Sequence, residues 1–189
     1  MRIGFVDLET TALNADGWGQ ILCGGICEYQ PPDATGNRKP WTNLRVYTLE
    51  NYKDERWNDK RLARKLLKEI NKYDIVASWN GIRFDEPFLA TRLREYGLKS
   101  SRWPRHKDLL YTSRYKLRLF NNKLDNVAEH FNVHDKYGCK KTHLHRKKWR
   151  KAIMGHYPSY RYVIRHCAED VKVLACLWEE LKDLIGEIK

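Results

Sequence analysis

Two carboxylates stand one residue apart near the start of the chain, in the stretch FVDLETTALN at residues 5–14. Asp7 and Glu9 end an apolar run that is typical of a strand, so both side chains would point to the same face of a sheet. Like charges held that close need a counter-ion, a shared proton or free solvent. The stretch is therefore either a strand end with two solvated acids or part of a metal site.

Further acids occur at two other places in the chain. Asp85 follows the apolar run DIVASWN and begins a helical pattern, where an aspartate can also be an ordinary N-cap. His166 and Asp170 lie four residues apart in YVIRHCAEDVKVL, and so share one face of a predicted helix. The two residues form either an exposed ion pair on the surface or a polar pair at the edge of the helix's apolar face. In the second case the buried acid needs a partner. Each feature alone has a purely structural explanation.

Three motifs, taken in order, resemble those of the DEDD exonuclease superfamily, which has the ribonuclease H-like fold. The similar stretches are DLETTAL at 7–13, NGIRFDEPFL at 80–89 and HCAEDV at 166–171. The stretch KLDNVAEHFNV at 123–133 is similar to the helix that these enzymes carry between the second and third motifs. The resemblance runs from residue 3 to about residue 180.

This resemblance implies a role for each motif residue. Four acids would hold two Mg²⁺ or Mn²⁺ ions: Asp7, Glu9, Asp85 and Asp170. These acids would be catalytic together with His166, which takes the place of the general base. Four residues would bind the substrate: Thr10 and Leu13 would contact the terminal nucleotide, and Asn80 and Phe84 would lie beside it. Phe84 has an equally good explanation as a core residue.

The chemistry of phosphodiester hydrolysis agrees with these residue types. One divalent ion activates water and a second stabilises the leaving oxygen, so several carboxylates must converge from different elements. Magnesium prefers carboxylate and water oxygens as ligands. A histidine has a reference pKa of about 6.5 and can accept a proton near neutrality.

Two positions depart from the family pattern. Ala12 stands where the first motif usually has glycine, which affects only the local turn. In the third motif, one branch of the superfamily has a tyrosine separated from the aspartate by three residues, and the other has a histidine separated from it by four. His166 combines the histidine of one branch with the spacing of the other. The imidazole therefore either reaches the attacking water or only helps to orient it.

The elements that must position these residues alternate between strands and helices. Apolar runs predict strands at residues 1–6, 20–30, 43–49, 74–80 and 107–110. Helical spacing predicts helices at 57–73, 85–98, 111–117, 123–133 and 160–188. With the resemblance, these patterns predict an α/β, ribonuclease H-like fold with a central mixed five-stranded sheet, its first three strands antiparallel, flanked by helices. Residues 1–189 would form a single exonuclease domain.

Composition restricts the partner and the compartment. Lys and Arg number 36 against 24 Asp and Glu, and the net charge of +12 suits a polyanion such as nucleic acid. The five cysteines are an odd number without disulfide-framework spacing, and no signal peptide precedes the first motif. No apolar run is long enough to cross a bilayer. We expect a protein of the cytoplasm or another reducing compartment that handles nucleic acid, neither secreted nor in a membrane.

The segment 133–151 is highly charged and aperiodic, which predicts a loop or irregular crossover. Its cations could contact phosphates, although a solvated basic loop is the simpler interpretation. They are Lys140, Lys141, Arg146, Lys147, Lys148, Arg150 and Lys151. Four possible zinc ligands also occur here, without the paired spacing of zinc sites: His134, Cys139, His143 and His145.

Two classes of function remain open. The first is a metal-dependent 3′–5′ exonuclease that acts on DNA or RNA at a 3′ end, single-stranded by expectation, as a monomer that works alone or with a separate polymerase. The second is a non-catalytic nucleic-acid-binding module on the same fold. An endonuclease of this fold is a third possibility, because its acids and metals would look alike. The presence of all four acids favours the exonuclease.

Overall fold

A computed structural model describes residues 1–33, 35, 39–50, 58–139, 143 and 145–186. Its five strands form one sheet: β1 Ile3–Thr10, β2 Ile21–Tyr29, β3 Trp41–Thr48, β4 Ile75–Ser78 and β5 Lys107–Asp108. The strand order is β3-β2-β1-β4-β5. The first three strands are antiparallel, whereas β4 and β5 run parallel to β1. The expected mixed sheet is confirmed.

Helices cover both faces of this sheet. They are α1 Lys60–Ile70, α2 Asp85–Glu95, α3 Leu109–Lys116, α4 Leu124–His130, α5 Val133–Tyr137, α6 Arg146–Ile153 and α7 Tyr157–Leu181, and a 3₁₀ turn follows at Lys182–Leu184. The five helices expected from periodicity are all present. Four of them are shorter than expected, whereas α3 begins two residues before the expected range and ends one residue before its end. The last helix begins one turn earlier than expected, with Pro158 in its first turn, where a missing N–H costs no hydrogen bond. None of the helices in the described ranges is long and apolar enough to span a bilayer.

The prediction of a loop over 133–151 is wrong for the described part of that segment. It contains α5 and α6, which are separated by residues 138–145; of these, residues 140–142 and 144 lie outside the described ranges. Trp149, Ala152 and Ile153 have helical spacing and pack against α7 and β2. Their apolar signal is hidden by the surrounding cations, because long charged side chains can occupy the solvent face of a helix without disturbing it.

Alternating side chains of β1 divide the core into two layers. Phe5 packs on the face covered by α3, α4 and α7, where its ring lies 5.9 Å from that of Trp178. Val6 and Leu8 pack on the opposite face against α1 and α2. The period-two alternation therefore places Asp7 and Glu9 on the same face as Phe5, toward α7.

The 25-residue helix α7 lies close against β2. A Cβ atom on Gly25 would come within 3.0 Å of the Cys167 sulfur and 3.1 Å of a Val171 methyl. Glycine at this position lets the helix approach the sheet closely. The close packing brings the middle of α7 to the strand that carries the first two acids.

Candidate active site

Asp7 and Glu9 lie side by side at the end of β1. The register between β1 and β2 shifts between Glu9 and Thr10, which is a β-bulge. Bulges redirect the chain where regular pairing ends, and here the loop after β1 begins. The Glu9 side chain is 13% exposed, so the pair is largely enclosed yet reachable from one side.

Helix α7 brings a histidine and another acid to the same place. The His166 Nε2 atom lies 3.8 Å from Glu9 Oε1 and 3.7 Å from Asp170 Oδ2. Both α7 residues are buried. Interpretation of this pair as a surface feature is therefore wrong. One imidazole edge faces carboxylates from two different elements.

Asp85 joins the cluster from α2. Its Oδ1 atom accepts a hydrogen bond of 2.8 Å from the backbone N–H of Leu8, the residue between the first two acids. Helix α2 begins at Asp85 itself, and the preceding Phe84 makes no side-chain cap. The alternative that Asp85 is an ordinary N-cap is wrong, because its carboxylate is directed to β1.

Burial and mutual repulsion shift the ionisation of these acids. Burial, and then the charge of Asp7, raise the pKa of Glu9 well above its ordinary value, and Asp170 and Asp85 add to the effect. Burial also raises the pKa of Asp85 to about 7, and Asp108 adds to this rise while the Leu8 N–H opposes it. Without a counter-ion, the carboxylates of this cluster are therefore not all ionised near neutral pH.

Asp108, which the sequence motifs did not single out, shapes the turn before Asp85. Its carboxylate accepts hydrogen bonds from the backbone N–H of Asn80 at 2.8 Å, of Ile82 at 3.1 Å and of Leu110 at 3.0 Å. Asn80 has a positive φ of 65°. A Cβ on the next residue, Gly81, would lie 2.2 Å from the Ser78 hydroxyl oxygen. The turn therefore has one tight shape that delivers Asp85 to the site.

A groove of about 480 Å³ opens beside Glu9. Three of the residues expected to bind the substrate line it: Thr10, Leu13 and Phe84. Leu13 is 84% exposed, and the Thr10 hydroxyl donates a 2.6 Å hydrogen bond to the carbonyl of Ala12. Phe84 is half-buried against Phe88, so it packs in the core and still lines the groove. Asn80 does not line this groove and lies in the preceding turn instead.

A family model described as the RNase_H superfamily matches residues 4–182. The chain belongs to this superfamily. A DNA polymerase of Methanocaldococcus jannaschii is 37% identical over 41 residues, which are 22% of this chain and 2% of that polymerase. The family B DNA polymerase of the hyperthermophilic archaeon Pyrobaculum calidifontis has the same fold, with a TM-score of 0.69 and 18% identity. That match covers 96% of this chain and 24% of the polymerase, so the chain spans about a quarter of its length.

The donor atoms of this RNase_H superfamily chain fit a hard divalent cation. Possible ligand atoms of Asp7, Glu9 and Cys167 lie within 4.8 Å of one another. However, burial, and then a hydrogen bond with Cys23, raise the pKa of the Cys167 thiol well above its ordinary value. Its sulfur donates to the Asp7 carbonyl at 3.5 Å. The thiol stays protonated, and the remaining donors are carboxylate oxygens, the ligands that Mg²⁺ and Mn²⁺ prefer.

The possible zinc ligands of segment 133–151 form no comparable group within the described ranges. His134 Nδ1 is hydrogen-bonded to the Cys139 carbonyl, and the Cys139 sulfur lies 2.9 Å from that of Cys176. The His134 imidazole and the Cys139 thiol therefore both have hydrogen-bond partners within the protein.

Sequence motifs also missed the contribution of α6 to the groove. Arg146, Trp149 and Arg150 line it together with residues of the first motif. The Trp149 ring makes a T-shaped contact with His166, at 5.2 Å between centroids and 88° between planes. The spacing of 146, 149, 150 and 153 was a helical signal, but the basic residues made it look like a solvated segment.

Proposed function

We propose that this chain is a metal-dependent 3′–5′ exonuclease, with residues 1–189 acting as a single exonuclease domain. The observation that carries the proposal is the convergence of carboxylates from β1, α2 and α7 beside an open groove, with one imidazole within 3.8 Å of the β1 and α7 carboxylates. Membership of the RNase_H superfamily supports the same conclusion. The residues of the three motifs support it as well.

In this proposal, four acids hold two Mg²⁺ or Mn²⁺ ions: Asp7, Glu9, Asp85 and Asp170. When bound, the ions supply an activated water and stabilise the leaving oxygen of the phosphodiester. The raised pKa of Glu9 and of Asp85 supports cation binding, because a divalent charge among these carboxylates favours their ionised form.

His166 has the role of general base. Its Nε2 atom lies between the carboxylates of Glu9 and Asp170, at 3.8 and 3.7 Å. A base in that position can accept the proton of an attacking water, and the neighbouring carboxylates stabilise the resulting imidazolium. The contact with Trp149 limits rotation of the ring.

The substrate in this proposal is the 3′ end of DNA or RNA, bound as a single strand. Thr10, Leu13 and Phe84 contact the terminal nucleotide in the groove, and Asn80 acts from the adjoining turn. The net charge of +12 supports binding to a polyanion. We expect a monomer that acts alone or beside a separate polymerase.

The test is digestion of 5′-labelled DNA and RNA oligonucleotides with Mg²⁺ or Mn²⁺, with EDTA as the control. We expect a stepwise ladder of products that shorten from the 3′ end. A single internal cut would identify an endonuclease, and binding without cleavage would identify a non-catalytic module. Either result would contradict the proposal. A 3′-phosphate on the oligonucleotide should slow the first step and provides a check of polarity.

A further inference from the structure

Helix α6 presents one face to the groove. Four of its residues, at helical spacing, line the groove: Arg146, Trp149, Arg150 and Ile153. Another side of the helix is anchored, because Ala152 is buried against α7 and β2. The helix is therefore a fixed wall of the groove, and it contributes one indole and two guanidinium groups to the lining.

The Trp149 ring is held in one orientation. It makes T-shaped contacts with His166 and with Tyr162, at centroid distances of 5.2 and 6.4 Å. The Tyr162 ring also has a cation–π contact, because the ammonium of Lys148 lies 4.1 Å from its centre. Trp149 itself is only half-buried and lines the open groove. A fixed, partly exposed indole next to cations is the arrangement that binds unpaired bases.

We propose that Trp149 is a stacking platform for a base near the 3′ end of a single strand, and that Arg146 and Arg150 contact the adjacent phosphates. The proposal rests on the proposed function, since it takes the strand end to lie beside Glu9. A base inside a duplex already has both faces covered by its neighbours, so it must leave the stack to reach the indole. The site therefore selects unpaired ends over fully paired ones.

The decisive test compares strands with and without the base. We would measure binding of 5′-fluorescein-labelled oligonucleotides by anisotropy in EDTA, so that no cleavage occurs. One strand is unmodified, and the other carries abasic nucleotides at its last positions. Removal of one stacked base corresponds to about a 5- to 150-fold weaker Kd. Trp149→Ala should show this weakening on the unmodified strand and less than about a twofold change on the abasic strand.

Two further variants separate stacking from a structural effect. Trp149→Phe keeps an aromatic face and should retain most of the affinity for the unmodified strand. Trp18→Ala removes a tryptophan that is 91% exposed and does not line the groove, and it should leave both affinities unchanged. Equal weakening on the two strands for Trp149→Ala, or an effect of Trp18→Ala as large as that of Trp149→Ala, would overturn the stacking assignment. So would failure of the wild type to bind either strand.

This test and the cleavage assay can fail separately. A chain that gives no ladder but discriminates the two strands through Trp149 would contradict the exonuclease and support the stacking site. A chain that gives the ladder but binds both strands alike, before and after Trp149→Ala, would support the exonuclease and contradict the stacking site.

Discussion

Ionisation of the candidate acids is set by burial and by their mutual repulsion. The pKa of Glu9 is raised first by burial and then by Asp7, and the pKa of Asp85 reaches about 7. Glu9 lies on β1 and Asp85 at the start of α2. The backbone N–H of Leu8, the residue before Glu9, donates a hydrogen bond to Asp85 and so connects the two elements. An enclosed group of carboxylates like this one is stabilised either by protons or by cations. Its response to pH and to metal therefore reports on its role.

The first prediction concerns stability against pH in EDTA. The pKa of Asp85 is about 7 in the folded chain, against 3.8 for an ordinary aspartate. The folded state therefore keeps a proton that the unfolded state releases, and the stability this confers is complete below about pH 4 and disappears as pH rises to about 7. Asp85→Asn should flatten this decline, as measured by urea unfolding. The exposed Asp16→Asn is the control, and an equally steep decline in Asp85→Asn would show that the prediction is wrong.

The second prediction concerns His166. A general base typically contributes about 10²- to 10⁴-fold, so His166→Ala should lower kcat by that factor with little change in substrate binding. Because the spacing to Asp170 is that of the tyrosine branch, His166→Tyr should restore part of the activity. The double change Arg165→His with His166→Ala should restore less. Single-turnover rates over a range of pH are the measurement, and an unchanged kcat and pH profile in His166→Ala would remove the base assignment.

Several elements are tied to the loop after β1 by one buried ion pair. Arg92 of α2 donates to Asp59 at 2.8 Å, and both side chains are buried. Arg92 also donates to the Ala15 carbonyl at 3.1 Å, while Asp59 accepts from the backbone N–H of Ile21 at 2.7 Å. The pair thus fixes the loop that carries Leu13 relative to α1, α2 and β2.

The third prediction is that Arg92→Ala destabilises the fold by about 3 to 5 kcal/mol, because it leaves the buried Asp59 carboxylate without its cation. Arg94, two residues later on the same helix, is exposed, and Arg94→Ala should change stability by less than about 0.5 kcal/mol. Chemical denaturation of both variants is the measurement. Similar values for the two would show that the buried pair contributes little.

Sequence patterns predicted elements well where the apolar period was clean, as in α1 and β4. They placed Asp85 correctly at the start of a helix, but only the fold shows its carboxylate directed to Leu8. Asp108 was missed because hydrogen bonds to a distant turn leave no periodic signal. Trp149 was missed because neighbouring cations masked the helix, and its contact with His166 depends on how α6 packs on α7.

On the scale of the whole molecule, two of the described helices with several exposed cations lie in different places. One is α6, which lines the groove, and the other is α1, which packs on the sheet face opposite α7. Both have several exposed cations. A net charge of +12 attracts nucleic acid from any direction, so position rather than total charge must decide which cations bind the substrate.

The fourth prediction uses this difference in position. A triple alanine variant should weaken the binding of nucleic acids of different sequence by a similar factor. It replaces three exposed cations of α6: Arg146, Lys147 and Arg150. The slope of log Kd against log salt should fall by about 0.7 to 0.9 for each phosphate that the variant no longer neutralises. The rate at saturating substrate should change much less than the affinity.

The matched control removes the same charge from the other helix. It is a triple alanine variant of exposed α1 cations: Arg61, Arg64 and Lys68. Its salt slope should stay close to that of the wild type. Equal effects of the two triple variants would mean that the strand is not bound along α6.

The most direct test of the metal site is thermal unfolding with EDTA and with Mn²⁺. Four single variants remove the acids in turn: Asp7→Ala, Glu9→Ala, Asp85→Ala and Asp170→Ala. Ligands that bind only the folded state stabilise it, so Mn²⁺ should raise the Tm of the wild type. In the variants this rise should shrink or vanish, while their Tm in EDTA equals or exceeds that of the wild type because repulsion is relieved. Variants whose Tm falls by several degrees in EDTA, or that keep the full rise with Mn²⁺, would show that these acids serve the fold instead of a metal site.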